Sequence, residues 1–156
     1  LFRNLGDNRF STSFDCLEPR LSCNSSKNIL IDIDGDMDLD IIIPQELGYS
    51  DKVTVESSKL LIYRNDSKTG NAIMFDLRGT KSNRSAIGAR IIVKDRDLSM
   101  IRLVEKPPFI THFGIAEKTK IESVRVEWPS GLNEVWHDMP ANKIWVLIEG
   151  SGEIDH

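Results

Sequence analysis

The 156-residue sequence has no apolar run near the 18 or so residues that a membrane-spanning helix needs; its apolar residues come in short runs of Ile, Val and Leu. A membrane span is therefore not expected in these residues. Clustered Lys and Arg with aromatic or helical partners are also lacking, which excludes a nucleic-acid surface. Cysteine is scarce. Cys16 and Cys23 form no CxxC pair and have no neighbouring His, so neither a zinc motif nor a redox motif is supported. They fit a small disulfide loop in a secreted protein, and they fit two free thiols equally well. No glycines precede Lys81-Ser82 as a phosphate loop would require, and no Gly-x-Ser-x-Gly elbow occurs.

At this length the chain can form one ordinary domain, or two small units, and bury a core without metal or disulfide support. The net charge of -4 is unevenly placed: residues 1–71 hold 12 acidic and 8 basic side chains, and residues 72–156 hold 12 of each. Five Asp between positions 32 and 40 account for the imbalance. The sequence starts at Leu1 without Met or a signal-like segment, as expected of a processed or excised piece of a longer product. Asn24-Ser25-Ser26, Asn65-Asp66-Ser67 and Asn83-Arg84-Ser85 fit the N-glycosylation pattern, a signal that chance alone readily produces.

The periodicity is that of strands. Residues 28–32, 39–43, 59–64, 73–78, 89–93, 123–128 and 143–149 are short β-branched or alternating runs bounded by Gly, Pro, Asn or Asp. Ser123 to Trp128 alternates polar with apolar residues; Pro129-Ser130-Gly131 then supplies a turn before Glu134-Val135-Trp136, which predicts a hairpin. No stretch carries a capped helical stripe, so the fold class is all-β. Phe2-Arg3-Asn4 recurs as Tyr63-Arg64-Asn65, 61 residues later, a spacing that suits one propeller blade with an insertion at Gln45 to Ser58.

Asp32, Asp34, Asp36, Asp38 and Asp40 stand at alternate positions between Ile29-Leu30-Ile31 and Ile41-Ile42-Ile43. Calcium takes six to eight oxygen ligands at about 2.3–2.6 Å, and a tightly wound loop supplies them from alternate side chains. Like charges at about 4 Å cost on the order of 1 kcal/mol per pair even in water. With both ends tied into apolar strands the carboxylates cannot spread, so the pattern favours a bound calcium over a solvated acidic turn. Magnesium fits less well, because it uses fewer protein carboxylates.

Leu1-Phe2-Arg3-Asn4 with Asp7-Asn8-Arg9-Phe10, followed by Asp32 to Asp40, resembles the FG-GAP/VCBS repeat of integrin-like β-propellers. The resemblance implies side-chain ligation by Asp32, Asp34, Asp36 and Asp40, and a carbonyl ligand from Asp38. It departs at Met37, where the family usually has Gly to take a positive φ. Phe75 to Arg90, His112-Phe113-Gly114 and Val124 to Gly131 resemble the ASPIC/UnbV domain, which commonly follows FG-GAP/VCBS repeats in proteins related to cartilage acidic protein. That likeness spans about residues 72–149 and departs between Leu98 and Ile110, where Lys106-Pro107-Pro108 replaces a longer Gly- and Ser-rich segment.

The expected architecture is thus a propeller-blade-like calcium-loop segment, residues 1–71, followed by a C-terminal antiparallel β-domain, residues 72–156. The expected function is an extracellular or secreted recognition or adhesion module, periplasmic or cell-surface in a bacterium, with structural calcium and a protein or glycan partner. The alternative is a secreted enzyme acting on polysaccharide or in secondary-metabolite biosynthesis. Arg78, Lys81, Arg84 and Arg90 around Gly79 and Gly88 suit an anion or sugar site, or a solvated loop whose glycines serve tight turns. His112 lacks a second His, Cys or paired carboxylate at useful spacing, so a packing role is expected over a general-base role. Trp128, Trp136 and Trp145 lie in apolar strand contexts and are expected in the core; an exposed pair would instead make a carbohydrate platform.

Overall fold

The computed structural model describes residues 2–6, 9–12, 28–45, 59–66, 70–105 and 109–155. Cys16, Cys23, the Asn24 sequon, residues 46–58 and Lys106-Pro107-Pro108 lie outside them. The described residues contain strands and no helix, as the periodicity predicts. They divide into two compact units: Leu1–Ile33 with Leu39–Asn65, and Asp34–Asp38 with Asp66–His156.

In the first unit, β1 (Phe2–Gly6) and β2 (Arg9–Thr12) form an antiparallel hairpin with a register shift between Asn4 and Gly6. A separate antiparallel sheet has the order β3 (Ile29–Ile31), β4 (Asp40–Gln45), β5 (Lys59–Tyr63). Its register sets Ile31 opposite Asp40, so the acidic loop is the connection between β3 and β4. Pro44 is tolerated in the middle strand because β3 pairs only as far as Ile42; at Pro44 only β5 is alongside. The two copies of the short repeat differ in setting: Phe2-Arg3-Asn4 lies inside β1, whereas Tyr63 ends β5 and Arg64-Asn65 follow it.

The second unit holds two sheets. One is antiparallel in the order β13 (Glu153–Ile154), β11 (Asn133–Pro140), β10 (Lys120–Glu127), β7 (Arg90–Asp95), β8 (Leu98–Leu103). The other has the order β12 (Ile144–Ile148), β6 (Ala72–Arg78), β9 (Ile110–Gly114). The predicted hairpin is present, with Glu127 opposite Asn133. An all-antiparallel domain is not what forms: β12 runs parallel to β6, with Ile144 opposite Met74 and Ile148 opposite Arg78, while β9 is antiparallel to β6 on its other side. A period of two looks the same in either orientation, so the pattern alone could not distinguish them.

Both sheets line one apolar core. Ile73, Phe75 and Leu77 from β6, Phe113 from β9 and Leu147 from β12 meet Ile91 and Val93 from β7, and Val124 and Val126 from β10. The alternation changes phase between Ile121 and Val124, both buried. At that level the Glu122–Asp138 pair is missing from the ladder and Asp138 takes φ 51, so the sheet keeps its core side through a local distortion. Phe75 and Phe113 are completely buried and meet edge to face, with ring centroids 5.7 Å apart and planes at 71°. Removing the Phe75 ring loses transfer energy and opens a cavity. Phe75→Ala is expected to lower stability by about 3–5 kcal/mol in denaturant unfolding; a loss below 1 kcal/mol would mean that this ring does not anchor the core.

Candidate metal centre

The acidic loop is held from beneath by Asp40, which is completely buried. A carboxylate without solvent needs replacement donors. Asp40 Oδ2 accepts the Ile33 N–H at 2.8 Å and Oδ1 accepts the Asn65 N–H at 2.8 Å, which ties the start of the loop to the end of β5. Asp32, Asp34 and Asp40 each offer a carboxylate oxygen, and these atoms lie within 4.8 Å of one another. Three of the five sequence-predicted ligands are therefore brought together. Asp36 and Asp38 are not in that group; Asp36 Oδ1 accepts the Asp38 N–H at 2.9 Å, a local side-chain turn that competes for the same carboxylate.

Two residues wind the loop. Gly35 has φ 81 and Met37 has φ 77, so Met37 adopts the left-handed conformation that favours Gly. That conformation costs a non-glycine residue about 1 kcal/mol. Within the second unit, His112 Nε2 lies 3.1 Å from the Met37 carbonyl and donates to it. His112 is half-buried on β9 opposite Met74, so its placement combines packing with hydrogen bonding to the Met37 carbonyl.

The basic loop after β6 is organised around Glu149, which is 3% exposed. Glu149 Oε2 accepts the N–H groups of Thr80, Lys81 and Ser82, each at 2.7 Å. Its Oε1 accepts the Ser82 hydroxyl at 2.9 Å and the Ser130 hydroxyl at 2.5 Å. Gly79 begins this turn because a Cβ there would lie 2.2 Å from the Asn83 carbonyl oxygen. Asn83 is used structurally: its side chain donates to the Ile87 carbonyl and accepts the Ile87 N–H, at 2.8 and 2.9 Å. Of the four cations, Arg78 pairs with Asp76 at 2.6 Å and Arg90 with Glu127 at 2.9 Å. Trp128 is buried in the core, and Trp136 and Trp145 are half-buried against its margin. Lys143 Nζ stands 4.1 Å from the centre of the Trp145 ring.

Residues 79–154 match the family model described as ASPIC and UnbV. The ASPIC/UnbV domain accordingly begins at the glycine that opens the Glu149-bound turn and runs through β13, a little under half of the chain. It agrees with the motifs read from the sequence, although the matched span starts after β6 and extends past Glu149. No curated protein matches the chain. Glu149, Ser82 and Ser130 are the organising residues of the ASPIC/UnbV domain that sequence reasoning missed. The one signal available was an acid closing the apolar run Ile144 to Ile148.

Burial alone would raise the Glu149 pKa, but hydrogen bonds from the Ser130 hydroxyl, the Ser82 and Thr80 amides and the Ser82 hydroxyl outweigh it, and the carboxyl falls from 4.5 to about 2. A depressed folded-state pKa stabilises the fold above the unfolded value and is lost as pH falls through the folded one. Stability should thus decline between pH 4.5 and about 2, with a contribution from this group on the order of 2–3 kcal/mol after allowance for solvent screening. Urea unfolding of the parent and of Glu149→Gln across that range checks this, and equal pH slopes in the two proteins would refute it.

Proposed function

We propose that the chain is an extracellular calcium-binding recognition or adhesion module, with a structural ion in the acidic loop and a protein or glycan as partner. The observation that carries this reading is the convergence of Asp32, Asp34 and Asp40, whose carboxylate oxygens lie within 4.8 Å of one another. Three hard anionic oxygen donors fit calcium, and lone pairs on Asp40 remain available beyond the two amide bonds it accepts. The positive φ values at Gly35 and Met37 support the likeness of the loop to FG-GAP/VCBS repeats. On this reading Asp32, Asp34 and Asp40 hold the ion, joined by Asp36 and the Asp38 carbonyl as the resemblance implies. The ion neutralises the repulsion among the carboxylates, and binding to the folded state alone raises its stability by about 2.7 kcal/mol at a hundredfold excess over the dissociation constant.

The recognition role follows from the same economy. Of the residues that suggested chemistry in the sequence, Arg78 and Arg90 are paired with Asp76 and Glu127 and His112 bonds to the Met37 carbonyl, and calcium would make the loop a rigid part of a binding face.

Calcium should raise the melting temperature of the parent protein relative to chelator, and Asp34→Ala should abolish most of that difference. A parent that melts identically in calcium and in chelator would end the structural-ion reading. Met37→Gly should tighten calcium binding about fivefold in a calorimetric titration, the equivalent of about 1 kcal/mol of relieved backbone strain. Equal affinities would show that Met37 is accommodated in the loop without cost.

A further inference from the structure

We infer that the turn Thr80-Lys81-Ser82 is an anion-binding cradle of carboxylate specificity, and that Glu149 is its resident anion. Three consecutive backbone N–H groups converge on a single oxygen, Glu149 Oε2, at 2.7 Å each. Successive amides pointing to one centre form the concavity that binds free anions in other proteins. Two hydroxyls complete the donor set from the other side: Ser82 Oγ and Ser130 Oγ both donate to Oε1. The Ser130 N–H donates in turn to Ser82 Oγ at 3.1 Å, which orients that hydroxyl toward the carboxylate. Five donors on two oxygens, three on one and two on the other, match a planar carboxylate.

The occupant is also bound through its backbone. Thr80 Oγ1 donates to the Glu149 carbonyl at 3.0 Å, and the Glu149 N–H donates to the Arg78 carbonyl at 2.9 Å. The cradle is therefore filled whenever β12 is in place. This decides between the two readings of the basic loop: its backbone donors are already used by an internal ligand, so Lys81 and Arg84 do not share them with an external sugar or phosphate. The inference is independent of calcium, since none of these residues belongs to the acidic loop.

The test is chemical rescue. Glu149→Ala removes the carboxylate and leaves space for a small one; its melting temperature should fall by about 10 °C or more. Sodium acetate, compared with sodium chloride at equal ionic strength, should recover a substantial part of that loss in Glu149→Ala and add nothing to the parent. Glu149→Gln fills the space with a neutral side chain, so it should melt lower than the parent and show no acetate-specific recovery. Acetate raising all three proteins alike, or leaving Glu149→Ala unmoved, would overturn the inference. Should Glu149→Ala be recovered only unfolded, refolding in acetate but not in chloride supports the cradle, and failure in both overturns it. In the parent, the amide protons of residues 80–82 should exchange at least tenfold more slowly than in Glu149→Gln; equal rates would also overturn it.

Discussion

A carboxylate can leave water only if other donors replace its hydration, and three acids among the described residues meet that condition by holding turns. Asp40, Glu134 and Glu149 are each at least nine-tenths buried. In every case backbone amides are among the donors, joined at Glu149 by the Ser82 and Ser130 hydroxyls. Asp40 takes those of Ile33 and Asn65, Glu134 those of Gly150 and Gly152, and Glu149 those of Thr80, Lys81 and Ser82. Loops cannot make the ladder bonds that satisfy strands, so their amides must find other acceptors. A buried acid and an unpaired turn solve each other's problem.

This division of labour separates the two jobs that the sequence performs. The apolar residues of β6, β7, β9, β10 and β12 build the core that makes the second unit stable, and they tolerate one another's company without directional demands. The buried acids then fix where individual turns lie, to within the reach of a hydrogen bond. Gly152 shows how tight that fixing is, since a Cβ there would lie 2.7 Å from the Trp136 ring. In the acidic loop the same device acts through Asp40, which sets the base by way of Ile33 and Asn65, with carboxylate oxygens of Asp32 and Asp34 within 4.8 Å of its own.

The strands with clean alternation were legible from composition. Ser123 to Trp128 reads correctly because its outward residues are polar and its inward ones are Val and Trp, and the turn after it contains Pro and Gly. Strand β8 was not legible: Leu98, Met100, Ile101 and Leu103 do not alternate cleanly, and the Arg96-Asp97 turn before it has no residue of positive φ to announce itself. Strand β9 is a central piece of the core through Phe113 but was visible only as a short family motif. In the acidic loop, the alternation of Asp marked five candidate ligands, of which Asp32, Asp34 and Asp40 have carboxylate oxygens within 4.8 Å of one another. It said nothing of Asp36 bonding to the Asp38 amide, because that competition is decided by local torsions and not by spacing. The Glu149 turn was invisible for a different reason. Its partners are 67 to 69 positions away, and a single sequence contains no record of such a distance.

The parallel pairing of β12 with β6 also constrains how the second unit comes into being on the ribosome. Strand β6 is made early, with Ile73, Phe75 and Leu77 apolar and both of its neighbours, β9 and then β12, still untranslated. Until Ile144 to Ile148 emerge, the β12 edge is open and the turn that begins at Gly79 has no carboxylate to close on. Pairings of such long sequence separation form slowly because the loop-closure entropy must be met before any contact rewards it. The nascent chain therefore presents an apolar strand with one open edge until β12 is made, an exposure that favours premature association.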